Sequence, residues 1–112
     1  MNKLEQIVKA LADKTRLRMV NLIMNRELCV CQMQVLLDMS QPRISRHAHI
    51  LSDAGIIKQR KDGQRVFYSI SHIDELDSMM DYLKEQFLDE SVYRDDKKKL
   101  KKISEQLDEL EN

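Results

Sequence analysis

The sequence has little with which to turn sharply: two glycines and one proline in 112 residues. Long helices and a short hairpin are what such a chain can build, because glycine and proline are the main punctuators of local structure. Aromatic residues make up 4% and tryptophan is absent, so Leu, Ile, Val and Met must fill the interior. A core that thin fits a single small domain that gains burial by pairing with a copy of itself. No apolar run approaches the ~20 residues of a membrane span, and no secretory h-region opens the chain. The expectation is a cytoplasmic protein with no membrane partner. Two cysteines one residue apart are not the framework of a disulfide-stapled secreted domain. Enzyme signatures are missing too: there is no nucleophile–base constellation, Gly-rich phosphate loop or His-Glu-x-x-His motif.

The formal net charge is zero, but it is unevenly spread. Residues 1–40 hold six basic and four acidic groups, residues 41–68 six and two, and residues 69–112 seven and thirteen. A basic middle in a neutral chain suits a phosphate-binding face, although on charge alone ordinary solvated surface is the favoured reading.

Apolar spacing supplies the elements. Leu4, Ile7, Val8 and Leu11 mark a first amphipathic helix over 2–11. Asp13 is a natural N-cap for a second, carrying Leu17, Val20, Ile23 and Met24. Glu27 to Cys31 is short and apolar, and Val35, Leu36 and Leu37 suggest a brief third helix. Ser40 and Pro42 suit the start of a fourth, with Ile44, His47, Ala48 and Leu51 inward and Gly55 as its terminator. The period then changes. Residues 56–60 and 65–70 read as strands joined by Lys61-Asp62-Gly63-Gln64, and an Asp-Gly pair there signals a hairpin. Ile73, Leu76, Met80, Leu83 and Phe87 then mark a last helix. Beyond it Leu100, Ile103, Leu107 and Leu110 continue the pattern, as a continued or separate amphipathic helix. The fold class expected is mainly α with a small β-hairpin, a homodimeric winged helix-turn-helix in the order α-α-α-α-β-β-α. Residues 1–90 would form the DNA-binding and dimerisation domain, and 91–112 a charged helical extension.

Five segments in order resemble the ArsR/SmtB family of metal-responsive repressors: Leu11-Ala12-Asp13-Lys14-Thr15-Arg16-Leu17-Arg18, Glu27-Leu28-Cys29-Val30-Cys31, Ser40-Gln41-Pro42-Arg43-Ile44-Ser45-Arg46-His47, Leu51-Ser52-Asp53-Ala54-Gly55-Ile56-Ile57, and Arg60 through Tyr68. They cover roughly residues 5–75. The resemblance implies a transcriptional repressor that pairs through its first and last helices and lets go of DNA when a ligand distorts the third.

On this arrangement the fourth helix reads operator DNA. Ser40, Gln41, Arg43, Ser45 and Arg46 lie at its start, where side chains of a helix-turn-helix reach base edges. Arg pairs bidentately with guanine and Gln with adenine. Lys61, Gln64 and Arg65 in the wing are placed for flanking phosphates or a minor groove. A palindromic site needs two recognition helices, and Leu4, Val8, Leu76, Met80, Leu83 and Phe87 are the candidate dimer contacts, unless they pack the protomer's own core. His47 falls on the apolar stripe and His49 points elsewhere, so the two are poor joint ligands.

Cys29 and Cys31 are the candidate ligands for the inducer. Thiolates select soft ions, and a helix start favours the thiolate. In a regular helix residues two apart diverge, so chelation would have to bend the segment. In the three-thiolate arsenic version of the family motif another cysteine follows three positions on; here Gln34 stands there. A two-sulfur site favours As(III) or Sb(III) and leaves Cd(II) or Pb(II) open, with no cofactor required. The family's other sensor site, on the last helix, lacks its histidines here: His72 stands alone among Asp74, Asp77, Asp81 and Asp89. Two further readings of the cysteines stand: a redox switch, set against the small ring such a disulfide must close, and plain buried filler. From another class altogether, the domain would be a protein-interaction module whose tail binds a partner.

Overall fold

The structure, a computed structural model, describes residues 2–104 and 106, without the side chain of Glu75. Its elements run α1 (Lys3–Leu11), α2 (Lys14–Asn25), β1 (Leu28–Cys29), α3 (Val30–Leu37), α4 (Gln41–Asp53), β2 (Ile57–Asp62), β3 (Arg65–Ile70), α5 (Asp74–Asp89) and α6 (Ser91–Lys102). The three strands form one antiparallel sheet in the order β1-β3-β2. The sequence order is as expected except for β1, a strand too short to show period two. It pairs Leu28 with Tyr68 and Cys29 with Phe67.

Local chemistry sets the boundaries. Asp13 caps α2, its carboxylate accepting the Arg16 N–H at 3.0 Å, and Asn2 does the same for α1 through Glu5. At the end of α4, Gly55 takes φ +80°. Its N–H donates to Ser52 O, and the Ile56 N–H donates to Leu51 O. That pair of bonds is the Schellman arrangement, which glycine adopts without a Cβ penalty. Gly63 opens the two-residue wing turn at φ +64°, the position a II′-type hairpin gives to glycine.

The core gathers Met19, Val20 and Leu22 of α2, Leu28, Met33 of α3, Ile44, Ala48 and Leu51 of α4, Ile56, and Leu76 of α5. Residues beyond 90 join it. Glu90 is extended (φ −101°, ψ 136°) and breaks the helical run, so α6 is separate from α5 and folds back across α2. Tyr93 and Leu100 are buried in the common core, and the Tyr93 ring lies 4.6 Å from that of Phe87. Arg18 donates two hydrogen bonds to the buried Asp96, at 2.8 and 3.0 Å. Leu107 and Leu110 of the tail stripe lie outside the described residues. No described helix is long and apolar enough to cross a membrane.

The dimer contacts expected from sequence need correction. Leu76, Met80 and Phe87 are 0%, 5% and 2% exposed within a single protomer, so they have almost no surface to offer a second chain. One helical stripe serves the protomer core first, because α6 packs against α5 and Tyr93 meets Phe87. Leu83 is half-buried, while Leu4 and Val8 stay exposed on α1, as do Tyr82 and Leu88 on α5.

Candidate functional site

The start of α4 presents its polar residues outward. Ser40 is the N-cap, though its side chain makes no capping bond, and proline sits in the first turn. Ser40, Gln41, Arg43 and Arg46 are exposed, and Ser45 is half-buried. Gln41 Nε2 donates to Ser45 Oγ at 2.7 Å, a bond one helical turn long that holds both side chains in fixed positions. In the wing, Lys61 and Gln64 are exposed while Arg65 is half-buried, turned inward from the tip.

His47 sits behind this face as an inter-helix strut. Its Nδ1 lies 3.2 Å from Arg16 Nη1 and 3.9 Å from Asp13 Oδ2. Arg16 also donates to Ala10 O at 2.6 Å, so one guanidinium ties α1, α2 and α4 together. Burial holds the His47 pKa below its ordinary value. Asp13 opposes that shift, and Arg16, Arg43 and Arg46 reinforce it. Burial acts against the Asp13 carboxylate as well, but the Arg16 N–H, the Arg16 charge and His47 outweigh it and its pKa is lowered. His49 points away and pairs with Asp53 at 3.2 Å.

The cysteines lie at the junction of sheet and helix. Cys29 ends β1, is the N-cap of α3 and is buried; its backbone is extended at φ −86°, ψ 167°. Cys31 is in the first turn of α3 and half-buried. The chain therefore bends between them, from strand into helix. Their Cα atoms are 5.5 Å apart and the sulfurs are joined as a disulfide, a spacing within the usual range for such a bridge. The divergence expected of residues two apart in a helix does not arise, since only one of the pair is helical. Both sulfurs reach one point with no bending of α3.

Cys29 also closes a capping box. Its sulfur receives the Gln32 N–H, and the Gln32 side-chain oxygen accepts the Cys29 N–H at 2.7 Å. The signal was in the sequence: Cys-x-x-Gln has capping-box spacing, with sulfur in the place of a hydroxyl. The wing is bound to the same junction by a second contact that pattern reading missed. Arg60 of β2 holds Glu27 bidentately at 2.6 to 3.0 Å and stacks over Phe67, 4.5 Å from its centroid. Such a pair joins residues 33 apart, which no local spacing reports.

A cleft of about 290 Å³ brings the two candidate sites into one place. Cys29, Val30, Cys31 and Gln34 form one wall; Gln41 and Ser45 from α4 and Gln64, Arg65, Val66 and Tyr68 from the wing hairpin form the rest. Arg43, Arg46 and Lys61 are not part of it. Arg65 Nη1 is buried without a hydrogen-bond partner. Among the described residues no three His, Cys, Asp or Glu side chains are grouped to hold a metal ion.

Two short helices set around a turn, the second offering Gln41 to Arg46, with a three-stranded sheet whose hairpin projects beside it, define a winged helix-turn-helix regulator. The chain belongs to the arsR family of bacterial regulatory proteins, whose family model matches residues 13–59, and these are transcriptional regulators rather than enzymes. An arsenic resistance transcriptional regulator of Pseudomonas putida is 49% identical over 65 residues, 57% of this chain and 51% of that protein. The match thus spans about half the length of that relative. A helix-turn-helix-type transcriptional regulator of Methanocaldococcus jannaschii is 40% identical over 84 residues, 72% of this chain and 94% of that protein. Among solved structures, HlyU from Vibrio cholerae aligns with a TM-score of 0.69 at 30% identity, over 77% of this chain and 92% of that chain.

Proposed function

We propose that this protein is a cytoplasmic, homodimeric repressor that binds a palindromic operator and is released when As(III) or Sb(III), or a soft metal such as Cd(II) or Pb(II), is held by Cys29 and Cys31. The observation that carries the reading is the shared cleft: the two sulfurs lie within one small space with Gln41 and Ser45 of the reading helix and Gln64 and Arg65 of the wing. Base edges fall to Gln41, Arg43, Ser45 and Arg46, positioned by Ser40 at the helix start; Lys61, Gln64 and Arg65 take phosphates. Leu4 and Val8, with the outward side of α5 including Leu83, supply the apolar surface for the second copy.

Release follows from where the sulfurs sit. Bound to an ion, the Cys29 sulfur is drawn toward that ion and away from its place as the cap of α3, and β1 carries any shift directly to Phe67 in the wing hairpin. α3 packs on α4, so both DNA-facing elements feel a change at one point. Thiolates at a helix start are favoured by the N–H groups there, which assists capture of the ion. The test is binding of the reduced protein to DNA from upstream of its own gene, followed by fluorescence anisotropy as As(III) is added. Release is expected for the native protein and its absence for Cys29→Ser or Cys31→Ser. If the double serine variant still lets go on adding As(III), the site is wrong.

One observation favours a second reading. The two sulfurs are paired in the structure, so an oxidant alone would engage the same two cysteines. An oxidant arm in the same titration separates the two: a redox switch releases DNA without any ion, and an ion sensor does not.

A further inference from the structure

Resting on the As(III) reading above, we propose that the cleft beside the cysteines binds a small carboxylate-bearing thiol, which gives As(III) its third sulfur and seats its carboxylate on Arg65. Trivalent arsenic forms three bonds and the chain has two cysteines; Gln34, in the same wall, has no sulfur to offer. The third bond must come from outside. Arg65 Nη1 is buried with no acceptor, and an unsatisfied buried donor on a charged group is costly. No acidic side chain lines the cleft: its residues are apolar, hydroxyl, amide, thiol or arginine. No carboxylate there neutralises Arg65, and once both sulfurs are bonded to arsenic they carry no negative charge to repel an incoming carboxylate. The cleft's volume of about 290 Å³ is at the small end of ligand cavities, which run from ~300 to 1,000 Å³. One small molecule fits such a space better than an extended peptide.

The chemistry balances without any change in the oxidation state of arsenic. Two equivalents of the small thiol first open the Cys29–Cys31 disulfide, which is reduced to two thiols as the small thiol is oxidised to its own disulfide. Arsenous acid then exchanges three As–O bonds for three As–S bonds, to Cys29, Cys31 and a further molecule of the small thiol. Each sulfur's proton leaves with a hydroxyl, so three waters are released. Arg65 would serve two anions in turn, an operator phosphate and the carboxylate, so filling the cleft removes one DNA contact directly.

The test reads As(III) uptake by phosphine-reduced protein in parallel with mercaptoacetate, 2-mercaptoethanol, cysteamine or no added monothiol, by native mass spectrometry and arsenic–thiolate absorbance. The expected species with mercaptoacetate carries one arsenic and one monothiol per protomer, formed ~10-fold more tightly than with the neutral or cationic thiol, the worth of a charged hydrogen bond. Arg65→Gln should lose that preference, Arg65→Lys should keep part of it, and Lys58→Gln, at an exposed β2 cation outside the cleft, should keep it whole. Cysteine and glutathione arms then tell an amino-acid thiol from a peptide one, and tighter uptake with either than with 2-mercaptoethanol supports the site. Equal uptake with all three thiols, full uptake with none, or a preference that survives Arg65→Gln overturns this inference and leaves the As(III) sensor standing. No uptake under any condition removes both.

Discussion

The two ends of α3 are held in opposite ways. Its C-terminus is pinned: Asp38 turns left-handed at φ 53°, and Lys99 of α6 donates to the Val35 and Leu36 carbonyls, both at 3.1 Å. A cation on the last carbonyls is where a helix dipole favours it, and α6 is itself anchored to α2 by Arg18 and Asp96. The N-terminus is held by the capping box alone, the Gln32 oxygen on the Cys29 N–H and a sulfur, a weak acceptor, and in the proposed function that sulfur is the group a soft ion or an oxidant would engage. On that proposal a ligand would act on the less firmly held end. The fixed end keeps the helix attached to the core while the other end, with β1 and the wing, changes.

Removing the anchor should give the largest effect. Asp96 is buried, and the Asp96 hydrogen bond is the first reason the Arg18 pKa is raised, against the burial that opposes it. Asp96→Ala leaves a mostly buried guanidinium without its partner, a change of ~3 kcal/mol. Urea denaturation should register it as a fall in stability; a loss below ~1 kcal/mol would show that α6 is not the anchor described.

Next comes the yielding end. Gln32→Ala removes the acceptor for the buried Cys29 N–H and half of the capping box, at ~2 kcal/mol. More tellingly, it should speed hydrogen exchange at residues 29–32 and leave exchange at 36–39 unchanged. Uniform acceleration along α3 would mean that the two ends are not independent. The converse variant, Lys99→Met, should cost only ~0.5–1 kcal/mol, since the ammonium is exposed. It should shift the As(III) midpoint for DNA release less than Gln32→Ala does; an equal or larger shift would reverse the assignment of the two ends.

How much of this was legible depended on whether its physics is local. The helices, the Asp13 cap and the Gly55 terminator are written in spacings of one to four residues and stand where the sequence puts them; the Asp-Gly hairpin does too, except that Lys61 and Asp62, expected in the loop, belong to β2 and leave a two-residue turn. The exposure of Gln41, Arg43 and Arg46 at the start of α4 was equally visible, because polar side chains on a helix start need no tertiary information. The site's assembly was not. β1 is two residues long and exists only because β3 offers it an edge. The inward turn of Arg65 depends on a cleft made by three elements distant in sequence. The cysteines were judged by helical geometry, whereas Cys29 lies one residue before the helix begins, and that residue decides where its sulfur points. The apolar stripe of α5 likewise says which residues avoid water, but not whether the protomer or a second copy covers them.

The smallest expected effect tests the strut behind the reading helix. Burial, with the Arg16 guanidinium 3.2 Å from Nδ1, sets the folded-state pKa of His47 below its unfolded value. The unfolded chain then takes up a proton first as the pH falls. The stability this contributes is present above ~6.5 and is lost progressively below it, down to the folded pKa. His47→Gln keeps an acceptor for Arg16 and removes the titration, so the difference in stability between native and variant should fall as pH drops from 7 to 5. A native protein that instead gains stability relative to the variant over that window would mean that His47 is charged in the fold, paired with Asp13 rather than propping Arg16. The face carrying Arg43 and Arg46 would then be stiffened by an ion pair and not by a neutral strut.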